Sequence, residues 1–466
     1  MRQNSARLHV ISIAASLLAL ACGSGDAPSP TESAHVPGPA AEGRHSTREL
    51  SSFGAGETEA YKIADNVYQA HAVGNTNMVV TREGNVIIDT GLPLRATDRD
   101  RPTPRELLGK VSQGPTKYVI VTHAHQDHLG GTSEWLEEGT EVIAHKTFLE
   151  TQRYLTELVP FFMRRNQPLY PNEVPDVPMN LVGGLLRRFY PQVHPTIEVD
   201  DVFRFELGGT KFEVIHTPGA EGEDSISVWL PAQKILFTGD FFGPLFPMFP
   251  NLYTIRGEKF RWPIPYIDAL NKVLALEPEI LVPSHFEPIV GKEKILAGVR
   301  KTRDATQYVH DETVKGMNAG KDVYTLMREI ELPPNLELSE GHGKVSWSVR
   351  GLWEAYAGFF KYRSTTELYD VPRHALDPEV VEAIGGPDSV VELAQAHLAA
   401  GRPLQALHYS DMALAAEDGH RGALEARLAA LELLMERSGD ENHSEVLWLT
   451  YRINETREAL GLAAGA

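Results

Sequence analysis

Thr122-His123-Ala124-His125-Gln126-Asp127-His128-Leu129-Gly130-Gly131 places three histidines and one aspartate within six consecutive positions. Immediately before it, Lys117-Tyr118-Val119-Ile120-Val121 is an apolar run of strand length, predicted as a buried strand. The ligating side chains therefore sit on a loop leaving a strand end. Such a loop aims alternate side chains at one point while the sheet holds it rigid. Imidazole and carboxylate donors suit a borderline divalent cation, zinc first, with iron or manganese as alternatives. Four donors with two glycines behind them argue against a chance surface patch.

Further polar groups follow apolar runs in the same way. Gly84-Asn85-Val86-Ile87-Ile88 leads into Asp89-Thr90-Gly91. Phe212–Ile215 leads through His216 to Thr217-Pro218-Gly219, and Lys234–Phe237 leads to Thr238-Gly239-Asp240. Ile280–Pro283 leads to Ser284-His285. Polar groups thus stand at the ends of successive predicted strands.

The H-x-H-x-D-H pattern and these strand ends resemble the metallo-β-lactamase superfamily. The resemblance implies an α+β protein, an αββα sandwich and a binuclear metal site, expected as two Zn2+. It assigns His123 and His125 to one ion, and Asp127, His128 and His285 to the other. Asp240 bridges both, and Asp89 orients the loop from behind. The superfamily usually has histidine directly after Thr-Pro-Gly, where this chain has Ala220 and then Glu221. His216 is the alternative ligand nearby. Thr217-Pro218-Gly219-Ala220-Glu221 resembles the alkyl sulfatase family, which places a metal-binding glutamate there. Glu221 is therefore the expected ligand, with Glu223 and Asp224 as surface carboxylates. Asp127, Glu221 and Asp240 would balance three of about four cationic charges and a bridging hydroxide the fourth, its pKa drawn toward ~7.

The sulfatase resemblance extends through Asn251-Leu252-Tyr253-Thr254-Ile255-Arg256-Gly257, where it implies that Asn251 and Arg256 bind a sulfate head. A planar guanidinium offers a tetrahedral oxyanion two parallel hydrogen bonds. It continues through Tyr308–Thr313, Glu331–Pro334, Trp347–Arg350 and Tyr356–Phe360. His342, in Glu340-Gly341-His342-Gly343-Lys344, is a candidate leaving-group acid or sulfate contact. Asp127, Asp240 and His342 are thus the expected catalytic residues. The chain departs from the family at Asp240, where glutamate is usual, and at Pro250, often histidine. It ends at residue 466, leaving no room for the family's sterol-carrier-like domain; a smaller or less greasy substrate is the corresponding expectation.

The expected activity is hydrolysis of an alkyl sulfate ester to alcohol and sulfate through a metal-bound hydroxide. The alternatives are hydrolysis of another ester, lactone, phosphodiester or β-lactam, and a helical interaction protein with a vestigial metal domain.

The ends carry their own signals. Arg2 and Arg7, the apolar run Val10–Ala19 and Leu18-Ala19-Leu20-Ala21-Cys22 resemble a lipoprotein-type signal peptide over residues 1–22. Cys22 is the only cysteine, so no intramolecular disulfide forms and a lipid anchor is its expected role. This implies a bacterial periplasm or cell-envelope location. Residues 23–55 read as a disordered linker, 56–300 as the catalytic domain and 301–375 as connecting helices with the pocket loop. Within the catalytic domain, Arg153–Pro195 reads as an aromatic- and arginine-rich insertion, either a lid over the metals or a packing element. Residues 376–466 turn Ala-, Leu- and Glu-rich at helical spacing, broken at Gly401-Arg402-Pro403. They read as tetratricopeptide-like helix pairs, and the family resemblance implies a homodimer through them. A net charge of −19 without a basic stretch disfavours nucleic acid.

Overall fold

Continuous apolar runs need cover on both faces, and two stacked sheets with outer helices provide it. The computed structural model describes residues 45–50, 52–92, 102–169, 190–219, 221–258 and 261–463. The first sheet follows chain order: β1 (Tyr61–Ala64), β2 (Val67–Ala70), β3 (Thr76–Thr81), β4 (Gly84–Ile88), β5 (Thr116–Ile120), β6 (Glu141–His145) and β7 (Ile197–Val199). The second contains β8 (Val202–Leu207), β9 (Thr210–His216), β10 (Ile226–Leu230), β11 (Ile235–Gly239), β12 (Ile280–Pro283) and β13 (Ile289–Val290), ordered β13-β12-β11-β10-β9-β8.

Side chains alternate across each strand. Val86, Ile88, Ile120 and Ile143 point inward and meet Val214, Val228, Phe237 and Val282 of the other sheet. Ile87, Val119 and Val121 point outward, onto Leu107, Leu108, Trp135 and Phe148. Leu236 and Leu281 of the second sheet pack under the helices Pro263–Leu276 and Lys292–Asn318 through Tyr266, Leu270, Ile295 and Val299. This is the expected α+β sandwich. β4, β5 and β6 run parallel, as do β11 and β12, so their chain-forward ends open on a common edge.

Behind the sandwich, the helices Val323–Glu329 and Val345–Ala357 pack on Lys292–Asn318 around Phe249 and Val309. Asp377–Ala383, Pro387–Ala399, Pro403–Ala416, Arg421–Arg437 and His443–Ala459 then follow. Proline in the first turn of the second and third sits where no amide hydrogen is needed. Ala394, Ala406, Ala426 and Ala430 let these helices approach closely. Among the described residues, no helix is long and apolar enough to cross a membrane.

The expected signal peptide and Cys22 lie outside the described residues, as does the linker up to residue 44. The rest of the expected linker is corrected where it is described. Ser46 caps a turn over Thr47–Glu49, and Thr47 is buried. His45 stacks on Phe286 with centroids 4.4 Å apart, and Phe53 packs edge-on to Phe286 at 5.0 Å. The Gly-, Ser-, Pro-, Ala- and Glu-rich composition of residues 23–55 reads as tether; two aromatic rings against a strand-end loop hold this part of it.

At the end of β6, His145 stacks on His216 with centroids 3.8 Å apart. Its Nε2 donates to the Asp200 carbonyl and its Nδ1 accepts from the Thr147 amide, so protonating Nδ1 breaks a bond. Burial, then His216, brings its pKa down to about 4. Below 6.5 the unfolded chain takes up a proton that the folded one refuses, so this residue's contribution to stability is lost as pH falls from 6.5 toward 4. The urea midpoint of His145→Gln is expected to fall less than wild type's between pH 7 and pH 5; parallel curves would refute this.

Candidate metal centre

Asp89 follows β4 in the left-handed region, with φ 55°, a conformation aspartate tolerates better than most residues. Its carboxylate accepts from the Thr122 amide (2.8 Å), Thr122 Oγ1 (2.9 Å), Ser284 Oγ (2.9 Å) and His128 Nδ1 (2.9 Å). One buried carboxylate thus ties together the loops after β5 and β12. Because it takes the His128 Nδ1 proton, Nε2 is left facing Asp127 and Asp240, each 3.4 Å away. His285 is set similarly: Nδ1 donates to the Val73 carbonyl, and Nε2 lies 3.1 Å from Asp240 Oδ2.

Two groups of donor atoms result. Asp127, His128, Asp240 and His285 form one, with all donors within 4.8 Å of one another; His123, His125 and Asp240 form the other by the same measure. Asp240, leaving β11, belongs to both. The two groups bring together the expected ligands other than Glu221. Burial, then His128 and His125, holds the His123 pKa well below the imidazole range, so it is neutral. Burial opposes ionisation of Asp127 and Asp240, yet the neighbouring histidines outweigh it and hold both carboxyls well below their usual range. Burial lowers the pKa values of His125, His128 and His285, but neighbouring carboxylates outweigh it and raise all three, so a divalent cation, which needs ionised carboxylate and neutral imidazole, would displace their protons. Asp240 Oδ1 is buried with no hydrogen-bond partner, a costly arrangement that a cation would relieve. The residues therefore fit a metal pair.

Glu221 stands beside the second group, 3.8 Å from His125 Nδ1. The loop carrying it closes through the Thr217 amide on Ser225 and the Gly219 amide on Gly222. A Cβ at Gly219 would meet the Tyr266 ring at 2.5 Å, so only glycine lets the turn lie this flat. His216, the alternative ligand, points elsewhere: its Nε2 is 2.9 Å from the Glu223 carbonyl and its ring lies on His145. Asp224 is corrected. Expected on the surface, it is 1% exposed and accepts from the Ala124 amide at 2.9 Å, bracing the metal loop.

Glu221 also links the metal groups to a polar cluster. Arg261 Nη1 lies 3.1 Å from it, Arg256 Nη2 3.3 Å and His342 Nε2 3.4 Å. Burial alone would raise its pKa; Arg261, then His342 and Arg256, bring it down to about 2. Asn251 Nδ2 is 3.1 Å from His342 Nε2. The structure thus brings Asn251, Arg256 and His342 together beside the second donor group. Arg261 and Glu258 went unnoticed in the sequence. Arg261 Nη1 donates to the Asn251 carbonyl at 2.9 Å and Nη2 to Glu258 at 2.5 Å, while Glu258 also lies 3.4 Å from His125 Nε2. Both belong to a charged run after Gly257 that reads as solvated surface, and nothing in its pattern marks burial. The described part of the insertion packs on this loop: Arg165 Nη1 donates to the Ile255 and Arg256 carbonyls at 2.8 and 2.7 Å. Arg187 and Arg188 of the same insertion lie outside the described residues.

A metallo-β-lactamase superfamily model matches residues 72–285, and an alkyl sulfatase dimerisation model matches residues 323–452. The chain is a metallo-β-lactamase domain followed by an alkyl sulfatase dimerisation domain. Among curated relatives, a linear primary-alkylsulfatase of a Pseudomonas species is 30% identical over 68% of this chain and 62% of its own length. An alkyl/aryl-sulfatase of Saccharomyces cerevisiae is 26% identical over 72% and 54%, respectively. The solved structure of an inverting sec-alkylsulfatase from a Pseudomonas species superimposes with a TM-score of 0.70 at 22% identity, covering 87% of this chain and 66% of that one. The chain spans between about half and just under two thirds of the length of these relatives.

In this metallo-β-lactamase domain, Asp89→Asn is expected to weaken metal affinity by about 10–100-fold, because His128 loses the acceptor that fixes its tautomer. Chelator competition measures it; unchanged affinity would remove Asp89 from the site.

Proposed function

We propose that this chain hydrolyses alkyl sulfate esters at a centre holding two zinc ions. The observation carrying this reading is the position of Glu221, which touches His125 on one side and the Arg256, Arg261, Asn251 and His342 cluster on the other. An anion-binding cluster one carboxylate away from the metal groups is what a sulfate ester needs. The alkylsulfatase relatives support the same reading.

His123, His125 and Glu221 would hold one ion, Asp127, His128 and His285 the other, with Asp240 between them. When bound, the pair supplies Lewis acidity and lowers the pKa of water toward neutrality. The protein supplies the rest. Arg261 is enclosed and committed to Glu221 and Glu258, whereas the Arg256 side chain is 22% exposed. Arg256 is therefore the guanidinium that reaches a substrate, and it donates to the sulfate oxygens. Asn251 adds an amide donor, and His342 is placed to pass a proton to the departing oxygen.

Release of inorganic sulfate from short and long alkyl sulfates, with and without chelator on metal-quantified protein, tests the reading. Chelator-sensitive release at about two ions per chain supports it; none from fully loaded protein would turn the assignment toward a lactone, lactam or phosphodiester. Arg256→Ala is expected to lower kcat for the sulfate ester by about 10²–10³-fold while sparing a neutral ester. Equal loss on both substrates would count against an Arg256 sulfate pocket.

The chain also acts as a homodimer in this reading. Phe359 (79% exposed), Tyr362 (88%), Tyr369 (71%) and Val371 (58%) line one segment within the match to the dimerisation model, an apolar surface suited to a second copy. Sedimentation equilibrium tests it: a monomer throughout the micromolar range would dismiss the homodimer.

A further inference from the structure

We infer that Asn442 is a positioning residue for His342, so that the last helix of the dimerisation domain completes the active site. The inference rests on the role given to His342 above. Asn442 precedes the helix His443–Ala459 and is 1% exposed. Its Oδ1 accepts from the Glu445 amide at 3.1 Å, an ordinary helix cap. Its Nδ2 does something a cap does not require: it donates to the Glu340 carbonyl at 2.7 Å and the His342 carbonyl at 3.2 Å. The His443 amide takes the carbonyl between them, Gly341, at 3.0 Å. Three successive carbonyls of the pocket loop are thus bound by two successive residues about a hundred positions further along the chain.

Neighbouring contacts keep the loop in that register. Glu441 Oε1 accepts from the Glu340 amide at 2.8 Å and Ser339 Oγ at 3.1 Å, and Lys344 pairs with Glu445 at 2.5 Å. On its other side, the loop lies on the Pro250–Asn251 peptide, where Gly343 leaves no room for a Cβ against the Pro250 carbonyl. The His342 ring then meets Asn251 and Glu221. Serine, threonine and aspartate would cap the helix as well as asparagine does, but none can donate two side-chain hydrogen bonds while capping. The residue type therefore fits the loop contact as well as the cap.

The test compares Asn442→Ser, Asn442→Asp, His342→Ala and the double variant Asn442→Ser/His342→Ala, all metal-quantified. Hydrogen–deuterium exchange over residues 339–344 reads the tether without turnover, and exchange about tenfold faster is expected in both Asn442 variants. Their metal content is expected to stay at wild type, while the thermal midpoint falls modestly in Asn442→Ser, which keeps the cap but leaves two carbonyls without their donor, and further in Asn442→Asp, whose carboxylate faces them. In Asn442→Ser, kcat for an alkyl sulfate is expected to fall about tenfold with little change in KM, and the loss is expected to vanish in the His342→Ala background. Equal losses in both backgrounds, or unchanged exchange at 339–344, would overturn the inference by making Asn442 merely structural. Impaired His342→Ala beside fully active Asn442→Ser would overturn it alone. Fully active His342→Ala would remove the His342 role itself, and this inference with it.

Discussion

Asp240→Asn is expected to leave a folded protein that binds fewer than one ion per chain at stoichiometric metal and turns over sulfate esters at least about 10⁴-fold more slowly. Asp240 is the one residue shared by the two donor groups. Removing its charge weakens both sites at once, whereas losing His123 or His285 weakens one. The amide keeps the shape, so packing at the end of β11 survives. It still cannot neutralise cations, and two ions held close together repel without an anion between them. Metal analysis after gel filtration and steady-state sulfate release measure the outcome. Two retained ions would dismiss Asp240 as the bridge. Asp240→Glu, which restores the charge and matches the residue usual in the alkyl sulfatases, is expected to keep its metals.

Asp240 also shows why much of the centre was legible in the chain. It is contiguous with an apolar run, as are His123, His125, Asp127, His128 and His285 with theirs, and parallel strands bring such ends to one edge. Strand periodicity placed them at strand ends, and the family resemblance gathered them into one site. The parts that were not legible depend on contacts between distant segments. Asp224 has the composition of a surface carboxylate and becomes buried only because the Ala124 amide, a hundred residues earlier, arrives beside it. Residues 45–55 look like a polar tether until Phe286 offers His45 and Phe53 a surface. Asn442 lies in a helical region whose pattern concerns its own packing, and its link to Glu340 and His342 spans about a hundred residues. Arg256 was legible through its flanking residues; Arg261, five positions on, was not, because no periodicity announces a buried cation.

Arg261→Ala is expected to be the most destabilising single change at this site, by about 3–5 kcal/mol at pH 7. The guanidinium side chain is 3% exposed and lies against Glu221, 2% exposed, at 3.1 Å, against Glu258 at 2.5 Å and against the Asn251 carbonyl at 2.9 Å. Alanine leaves Glu221 a buried carboxylate facing Arg256, His342 and, at 3.8 Å, His125, and it releases the Asn251 peptide as well. The pH dependence separates this cause from simple loss of packing. With its partners present, Glu221 titrates at about 2 rather than 4.5. A depressed carboxylate stabilises the fold above its unfolded pKa, and that stabilisation disappears as pH falls from 4.5 through the folded value. Arg261 is the largest of the groups that hold this carboxyl down, so the variant loses its share of the contribution. The difference in denaturant midpoint between wild type and Arg261→Ala, both chelator-treated so that no cation neutralises Glu221, is therefore expected to be full at pH 7 and to shrink below 4.5. A difference that stays constant with pH would assign the loss to packing around the guanidinium rather than to the ion pair.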